Sequence, residues 1–463
     1  MAPLDTEIPV PLAGQAPPVL VAGLPSSPPF VRELAALGNS AGRDLRILAE
    51  TERLGGEDLY RLETGTGEPL SAPGVLDAQW ERPPFFMAVR LAHYSASSAG
   101  ARIVDGAVIG TRGTRAVILD RLARAAGLLL RGALSGTAQG GVAEFPPPPR
   151  TWHWQGANKA EGNLRHILQR MRDRLLVEWW GIGLAERSPR EMLAAGELGR
   201  VRWLTPGKCA AYLADPFPWP DDRRLLCEEM PIAGGHGRIV ALDFEGGDRI
   251  VHCRPVLESA HHHSYPCAFR HGGTTWLLPE APVRGGTVLY RLTAAGPVPA
   301  CDIAPSRQLA DPTFFEHDGL CWIACTDLDI GAHDNLCMFY AESPLGPWEP
   351  HVRTPVKLDI RGARPAGTPF RAAGQLIRPA QDCARTYGAA ITLQRVTRLT
   401  PTEYREESVL SIRPDAAVFP DGLHTLSTDG TRTWVDGKRY VFDAATLFDR
   451  VCRRQLRRRA RRS

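Results

Sequence analysis

A chain of 463 residues, 43% hydrophobic and 23% charged, is long enough for two or three domains and has the make-up of a globular protein. Its 45 glycines and 40 prolines favour many turns, and so a β-rich architecture over a helical bundle. No apolar run approaches the roughly 18 residues that span a bilayer. The last eleven residues, RRQLRRRARRS, carry seven arginines of a net charge of +4, so the remainder stands near −3 and its body is not a nucleic-acid-binding surface.

In chain order, the N-terminal MAPLDTEIPVPLAGQAPP lacks a basic leader region and is broken by prolines, which predicts no secretory signal. PPVLVAGL reads as a buried strand, and PPFVRELAALG and ILDRLARAAGLLLRGAL as helices, together a small α/β region over residues 1–150. EFPPPPRTWHW is a stiff proline linker. Leu164, Ile167, Leu168, Met171 and Leu175 then follow helical spacing, and VEWWGIGLAE is strand-like; residues 151–195 are assigned to linker and helix. All ten cysteines lie after position 200, with no CxxC pair, and read as free thiols of a reducing compartment. A cytoplasmic location is therefore expected. The tail over 444–463 reads first as a solvated basic segment, and it could also hold the protein against an anionic membrane.

From about residue 196 to 443 the chain changes character, and a repeat of short strands appears. Five segments align: LADPFPWPDDRRLLCEEM, HSYPCAFRHGGTTWLLPEA, LADPTFFEHDGLCWIACTD, ARPAGTPFRAAGQLIRPAQD and GLHTLSTDGTRTWVDGKR. Their landmarks Asp215, Tyr265, Asp311, Arg364 and His424 are spaced by 50, 46, 53 and 60 residues. A period near 50 built from hairpins predicts a five-bladed β-propeller, each blade a four-stranded sheet around a central axis. Equivalent positions on different blades then converge, so Asp215, His263, Asp311, Arg364 and His424 are expected to share a pocket. The run His261, His262, His263 reads as one blade's share of it. Adjacent strand residues face opposite ways and no third ligand is evident, so no metal is expected there.

The paired LADPFPW and LADPTFF resemble the propellers of family 43 glycoside hydrolases, which carry an Asp-Pro in the first blade and another in the third. The resemblance implies Asp215 as general base and Asp311 as the group that tunes and orients the acid. Where that family has its proton-donating glutamate, the segment GARPAGTPF has Arg364. Arginine cannot give up a proton, but it can grip a phosphate, and Arg378 in LIRPAQD adds a second charge. A leaving group that is already a phosphate needs charge neutralisation and no acid.

The run from about 200 to 440 also resembles the propeller at the N-terminus of plant glucosamine inositolphosphorylceramide transferases. The residues that carry this are LADPF, HHSYP, LLPEA, LADPTFF, SPLGPWEPH, ARPAGTPF, IRPAQDCARTYGAAI, LTPTEYREE and DGLHTLS. The plant proteins have a separate glycosyltransferase domain downstream, for which no room is seen after residue 443. Residues 1–150 resemble a degenerate formyltransferase-like domain without a matching Asn-His-Asp set, so a scaffold or docking role is expected there.

Glu280 in LLPEA could be a second acid or a rim ion-pair partner, and Asp382 and Gln381 could bond sugar hydroxyls. Trp219, Trp276, Trp322 and Trp434 recur between strands and read as packing before sugar stacking. Asp327, Asp329 and Asp334 read as a solvated acidic turn.

The sequence therefore predicts a mainly β, carbohydrate-active propeller, first a glycosyltransferase-like protein using a sugar or nucleotide-sugar donor. It would act on a glycolipid or polysaccharide, without cofactor or nucleic acid. Hydrolysis or phosphorolysis with Glu280 as acid, and non-catalytic sugar binding, are the alternatives.

Overall fold

The computed structural model describes residues 175–442 except 205–209, 221–223, 233–234 and 246–248. Before that it describes 19–22, 32–33, 36–37, 45–47, 59–72, 75, 85–95 and 101–138. The proline linker, the helix expected over 164–174 and the arginine tail lie outside the described residues. The fold is mainly β, and the chain divides into two compact units.

The first unit has the expected α/β make-up. Its strands run in the order Leu45–Ile47, Val19–Ala22, Leu59–Thr64, Phe86–Tyr94, Ala101–Gly110. The first three pair in parallel and the next pairing is antiparallel. The helix Arg115–Leu134 begins where the Thr114 side chain accepts from the Val117 N–H, an N-cap that satisfies one orphan donor. No similarity of this unit to a formyltransferase is established, and that expectation stays a reading of the sequence.

Among the described residues, the second unit contains five antiparallel sheets. The first is Tyr212–Pro218, Leu225–Met230, Arg238–Glu245, Arg249–Leu257. The second is Ser264–His271, Thr274–Glu280, Val288–Thr293, Gly296–Asp302. The third is Leu309–His317, Leu320–Asp327, Asn335–Ala341, Glu349–Pro350, with Lys357–Leu358 also paired to Asn335–Ala341. The fourth is Phe370–Ala372, Gln375–Asp382, Ala390–Leu399, Tyr404–Ile412. The fifth joins chain positions far apart: Leu426–Thr428 and Thr433–Phe442 pair with Leu176–Ala185 and Val201–Trp203. The strand VEWWGIGLAE, assigned from sequence to the linker region, is thus part of this sheet, and the β body starts at Leu176 rather than at 196.

Apolar burial links the five sheets in a cycle. Phe217, Tyr265, Leu278 and Phe314 bind the first, second and third; Trp322, Leu336, Leu376 and Tyr404 the third and fourth. Ile377, Leu393, Leu426 and Val435 join the fourth to the fifth, and Trp434 with Ile182 meets Leu213, Leu225 and Val240 of the first. Trp276, Trp322 and Trp434 are buried in these seams, as packing requires. The eight described cysteines are free thiols.

Candidate functional site

The first strands of the first three sheets share one deformation. Asp215, Tyr265 and Asp311 have φ of +49°, +48° and +49°, a region that side chains other than glycine seldom enter. Each sits where the ladder slips: two residues on the first strand lie opposite one on its partner, between Ala214 and Phe217, Ser264 and Cys267, Ala310 and Thr313. This is a β-bulge. Pro216, Pro266 and Pro312 follow the strained residue in every case, and having no N–H they leave no donor unpaired in the broken ladder.

The amide of the strained residue turns instead to a carboxylate of the preceding sheet. Asp215 N donates to Asp436 Oδ2 of the fifth sheet at 3.2 Å. Tyr265 N donates to Asp215 Oδ2 at 3.1 Å, and Asp311 N to Glu280 Oε2 at 2.8 Å. Tyr265 completes the tie by accepting from Gly367 N of the fourth segment at 2.5 Å through its hydroxyl. The bulges, which weaken each sheet, thus bring acids of neighbouring sheets together.

Asp215 is 4% exposed. Its Oδ1 accepts from Thr425 Oγ1 at 2.6 Å and lies 3.6 Å from His424 Nε2. Burial pushes its carboxyl up to about 6, with Asp436 and Asp311 adding to the rise and His424 and Thr425 opposing it. His424 Nδ1 lies 2.5 Å from Asp436 Oδ2. Burial works against the imidazolium, yet Asp436 and Asp215 together raise its pKa above the ordinary histidine value. Asp311 is held by Arg364, whose Nε and Nη2 donate to its two oxygens at 2.6 and 3.2 Å, and by Gln381 Nε2 at 2.7 Å. Glu280 lies 3.9 Å from Arg364. Burial, and then the charge of Asp311, lift its carboxyl well above the usual range against the pull of Arg364.

Of the residues singled out from sequence, Asp215, Glu280, Asp311, Arg364 and His424 come together. Three do not join them. Arg378 is fully enclosed on the other side of its strand, where Nε and Nη2 donate to Glu406 at 2.9 and 2.7 Å and Nη2 to Gly362 O. Arg378 and Gln381 are three apart on one strand and so face opposite ways. Glu406, held also by Lys357 at 2.7 Å, sits near pKa 2: burial alone would raise it, and the two cations overcome that. Arg378 therefore has no donors for phosphate. Arg364, similarly, spends its fork on Asp311 and its Nη1 on Ala332 O at 2.7 Å.

His263 pairs through Nε2 with Ser259 Oγ at 2.8 Å, and the residue of that stretch that meets Asp215 is Tyr265. Its neighbour His262 lies 3.3 Å from Glu228. Asp382 bonds the Ala384 N–H at 2.9 Å, and burial raises it to about 6. In the acidic turn, Asp327 and Asp329 are ion-paired with Arg307 and Arg284.

Sequence reasoning missed Asp436, Glu228, Trp180 and Tyr387. A signal for the acids existed: the second strand of every repeat carries one, namely Glu228, Glu280, Asp327, Asp382 and Asp436. Trp180 stacks on His424 with ring centroids 3.9 Å apart. Asp215, His424 and Asp436 place one ligand atom each within 4.8 Å of one another, a spacing that could take a cation. All four of their carboxylate oxygens already accept hydrogen bonds from the protein, so the set fits an internal hydrogen-bonded network better than a metal centre.

Residues 204–417 match the family described as glucosamine inositolphosphorylceramide transferase 1, N-terminal. Glucosamine inositolphosphorylceramide transferase 1 of Arabidopsis thaliana is 32% identical over 248 residues, 51% of this chain and 31% of the plant protein. The protein of the same name from Oryza sativa subsp. japonica is 31% identical over 207 residues, 43% of this chain and 28% of its own length. The resemblance read from the sequence therefore holds for this segment, and the chain spans less than a third of the plant relatives' length. Among solved structures, sucrose-6-phosphate hydrolase from Lactobacillus gasseri aligns over 48% of this chain and 54% of its own, at 12% identity and a TM-score of 0.37.

Proposed function

We propose that the five sheets are the blades of a closed propeller and that its axial pocket binds a sugar and transfers its glycosyl group. The observation that carries this reading is one pair of carboxyls in one enclosure. Burial raises Asp215 to about 6 and Glu280 well above the usual carboxylate range. Two buried acids of raised proton affinity, each held by different partners, are what glycosyl chemistry requires, a base for the incoming hydroxyl and an acid for the leaving oxygen. Asp311, clamped by Arg364 and Gln381, orients Glu280 through its own amide and acts as a fixed charge, not as a nucleophile.

The phosphate-containing donor expected from sequence loses its main support, since both arginines are spent on Asp311 and Glu406. A leaving group that Glu280 protonates takes its place in the proposal. The names of the plant relatives favour transfer over hydrolysis and favour a glycolipid acceptor, near which the arginine tail would hold the chain. Hydrolysis uses the same two acids with water as acceptor, and is the second reading.

The test is to incubate the full chain with aryl glycosides and with nucleotide sugars, each with and without an inositolphosphoryl lipid. Transfer to the lipid that is lost in Glu280→Gln is the expected result. Release of free sugar regardless of lipid would move the assignment to hydrolysis, and binding of sugars without any product would overturn catalysis altogether.

A further inference from the structure

The loop after the fourth sheet's second strand carries Tyr387 into the middle of the site. Its ring stands edge-on to His424, with centroids 5.3 Å apart at 87°, and the Arg364 guanidinium lies 4.9 Å from its centroid. It therefore bridges the His424 side, which holds Asp215, and the Arg364 side, which holds Asp311. Arg364, Asp311, Asp215 and Glu280 all act on its hydroxyl electrostatically, and burial keeps that hydroxyl protonated far above neutral pH.

The loop is pinned at successive points. Ala384 N and Ala389 N donate to Asp382 at 2.9 and 3.0 Å, Leu423 N donates to Gly388 O at 2.8 Å, and Lys438 Nζ donates to Tyr387 O. Gly388 has φ of +54°, and a Cβ there would lie 2.5 Å from His424 Cβ, so only glycine lets the loop close onto the histidine. With its main chain so fixed, Tyr387 is half-buried, and its hydroxyl has no hydrogen-bond partner among the described residues. A rigidly presented phenol whose hydroxyl is left unpaired, amid acids that are all engaged, is a polar group left for a ligand.

We infer that Tyr387 is the residue that anchors the substrate, its hydroxyl bonding a hydroxyl of an uncharged sugar ring. This rests on the carbohydrate reading of the site. The class of sugar follows from the surroundings. The buried cations beside the ring, Arg364, His424 and Lys438, are already paired with Asp311, Asp436 and Glu178, so a uronate's carboxylate would find each of them engaged. Asp382, expected from sequence to touch sugar, is in this account a positioning residue that holds the Tyr387 loop.

The test is ligand-observed NMR on the full chain with methyl glycosides of neutral hexoses and pentoses and with methyl glucuronide, for wild type and Tyr387→Phe. The inference expects neutral glycosides to bind wild type, methyl glucuronide not to bind, and Tyr387→Phe to weaken binding about three- to tenfold, the worth of one hydrogen bond between uncharged groups. Phenylalanine fills the same space, so the melting temperature should stay unchanged. Equal binding by wild type and Tyr387→Phe overturns the inference while leaving the carbohydrate reading intact. Glucuronide binding as tight as the neutral glycosides overturns the assignment of sugar class. If wild type binds no glycoside, both readings fall.

Discussion

At the scale of single residues, the site is decided by how each buried charge is compensated. Asp215 has hydrogen bonds to both oxygens and an imidazole at 3.6 Å, yet burial still leaves its carboxyl near 6. The sign follows directly: its ordinary value is 3.8, so protonation of the folded protein begins about two units earlier than in the unfolded chain. Activity that needs the Asp215 carboxylate and the Glu280 proton should therefore rise through a limb near pH 6 and fall again on the alkaline side as Glu280 ionises, as read from kcat/KM against pH. A limb near 4 would mean that burial is offset more completely than the geometry implies.

The two buried arginines give a second contrast. Arg364→Met leaves Asp311 with Gln381 as its remaining side-chain donor, and Arg378→Met leaves Glu406 with Lys357 and Tyr404. Each removes the guanidinium paired with a buried carboxylate, so each should cost about 3–5 kcal/mol in urea unfolding. Only the first touches the site, and only it should also change the pH profile of the fraction that remains folded.

At the scale of elements, the repeated bulge does the positioning. A regular ladder would spend the amides of Asp215, Tyr265 and Asp311 within their own sheets; the bulge frees them to bind acids of the neighbouring sheet. Where the fourth segment meets the fifth sheet the fit is closer still. Gly367 has φ of +120°, and a Cβ there would lie 1.8 Å from Leu426 O. Gly367→Ala should accordingly lower the melting temperature by well over about 5 °C or abolish soluble expression, as differential scanning fluorimetry and yield would record. A variant that melts like wild type would show that this seam can open.

Much of this was legible in the chain. The hairpin period and the twice-written LADP placed Asp215 and Asp311 together across 96 positions of sequence. The face of Arg378 was legible too, from its odd offset to Gln381. Asp436 was harder, because no repeated phrase surrounds it and its role depends on a hydrogen bond to a strand 221 residues away. Tyr387 lies in a loop without counterpart in the other repeats, where no periodicity can speak.

At the scale of the whole molecule, the fifth sheet is what no local pattern reveals. Thr433–Phe442 pairs along its length with Leu176–Ala185, so the strands that close the cycle of apolar seams come from the two ends of the described β body. A chain begun at 196, the boundary expected from sequence, would lose that partner and uncover Trp434 and the strand bearing Asp436. Such a truncation should fail to give a cooperative urea transition or a near-ultraviolet circular dichroism signal. A native-like spectrum would show that the closing strands are dispensable.

The same closure brings Asp436 and His424 to Asp215, and with them the chemistry proposed for the molecule. The most direct measurement is turnover of the best glycosyl donor by wild type and by Asp215→Asn, an isosteric change at a position whose positive φ asparagine tolerates. Loss of about 10²–10⁴-fold in kcat with an unaltered unfolding transition is the predicted result. Turnover by Asp215→Asn within a few-fold of wild type would contradict it.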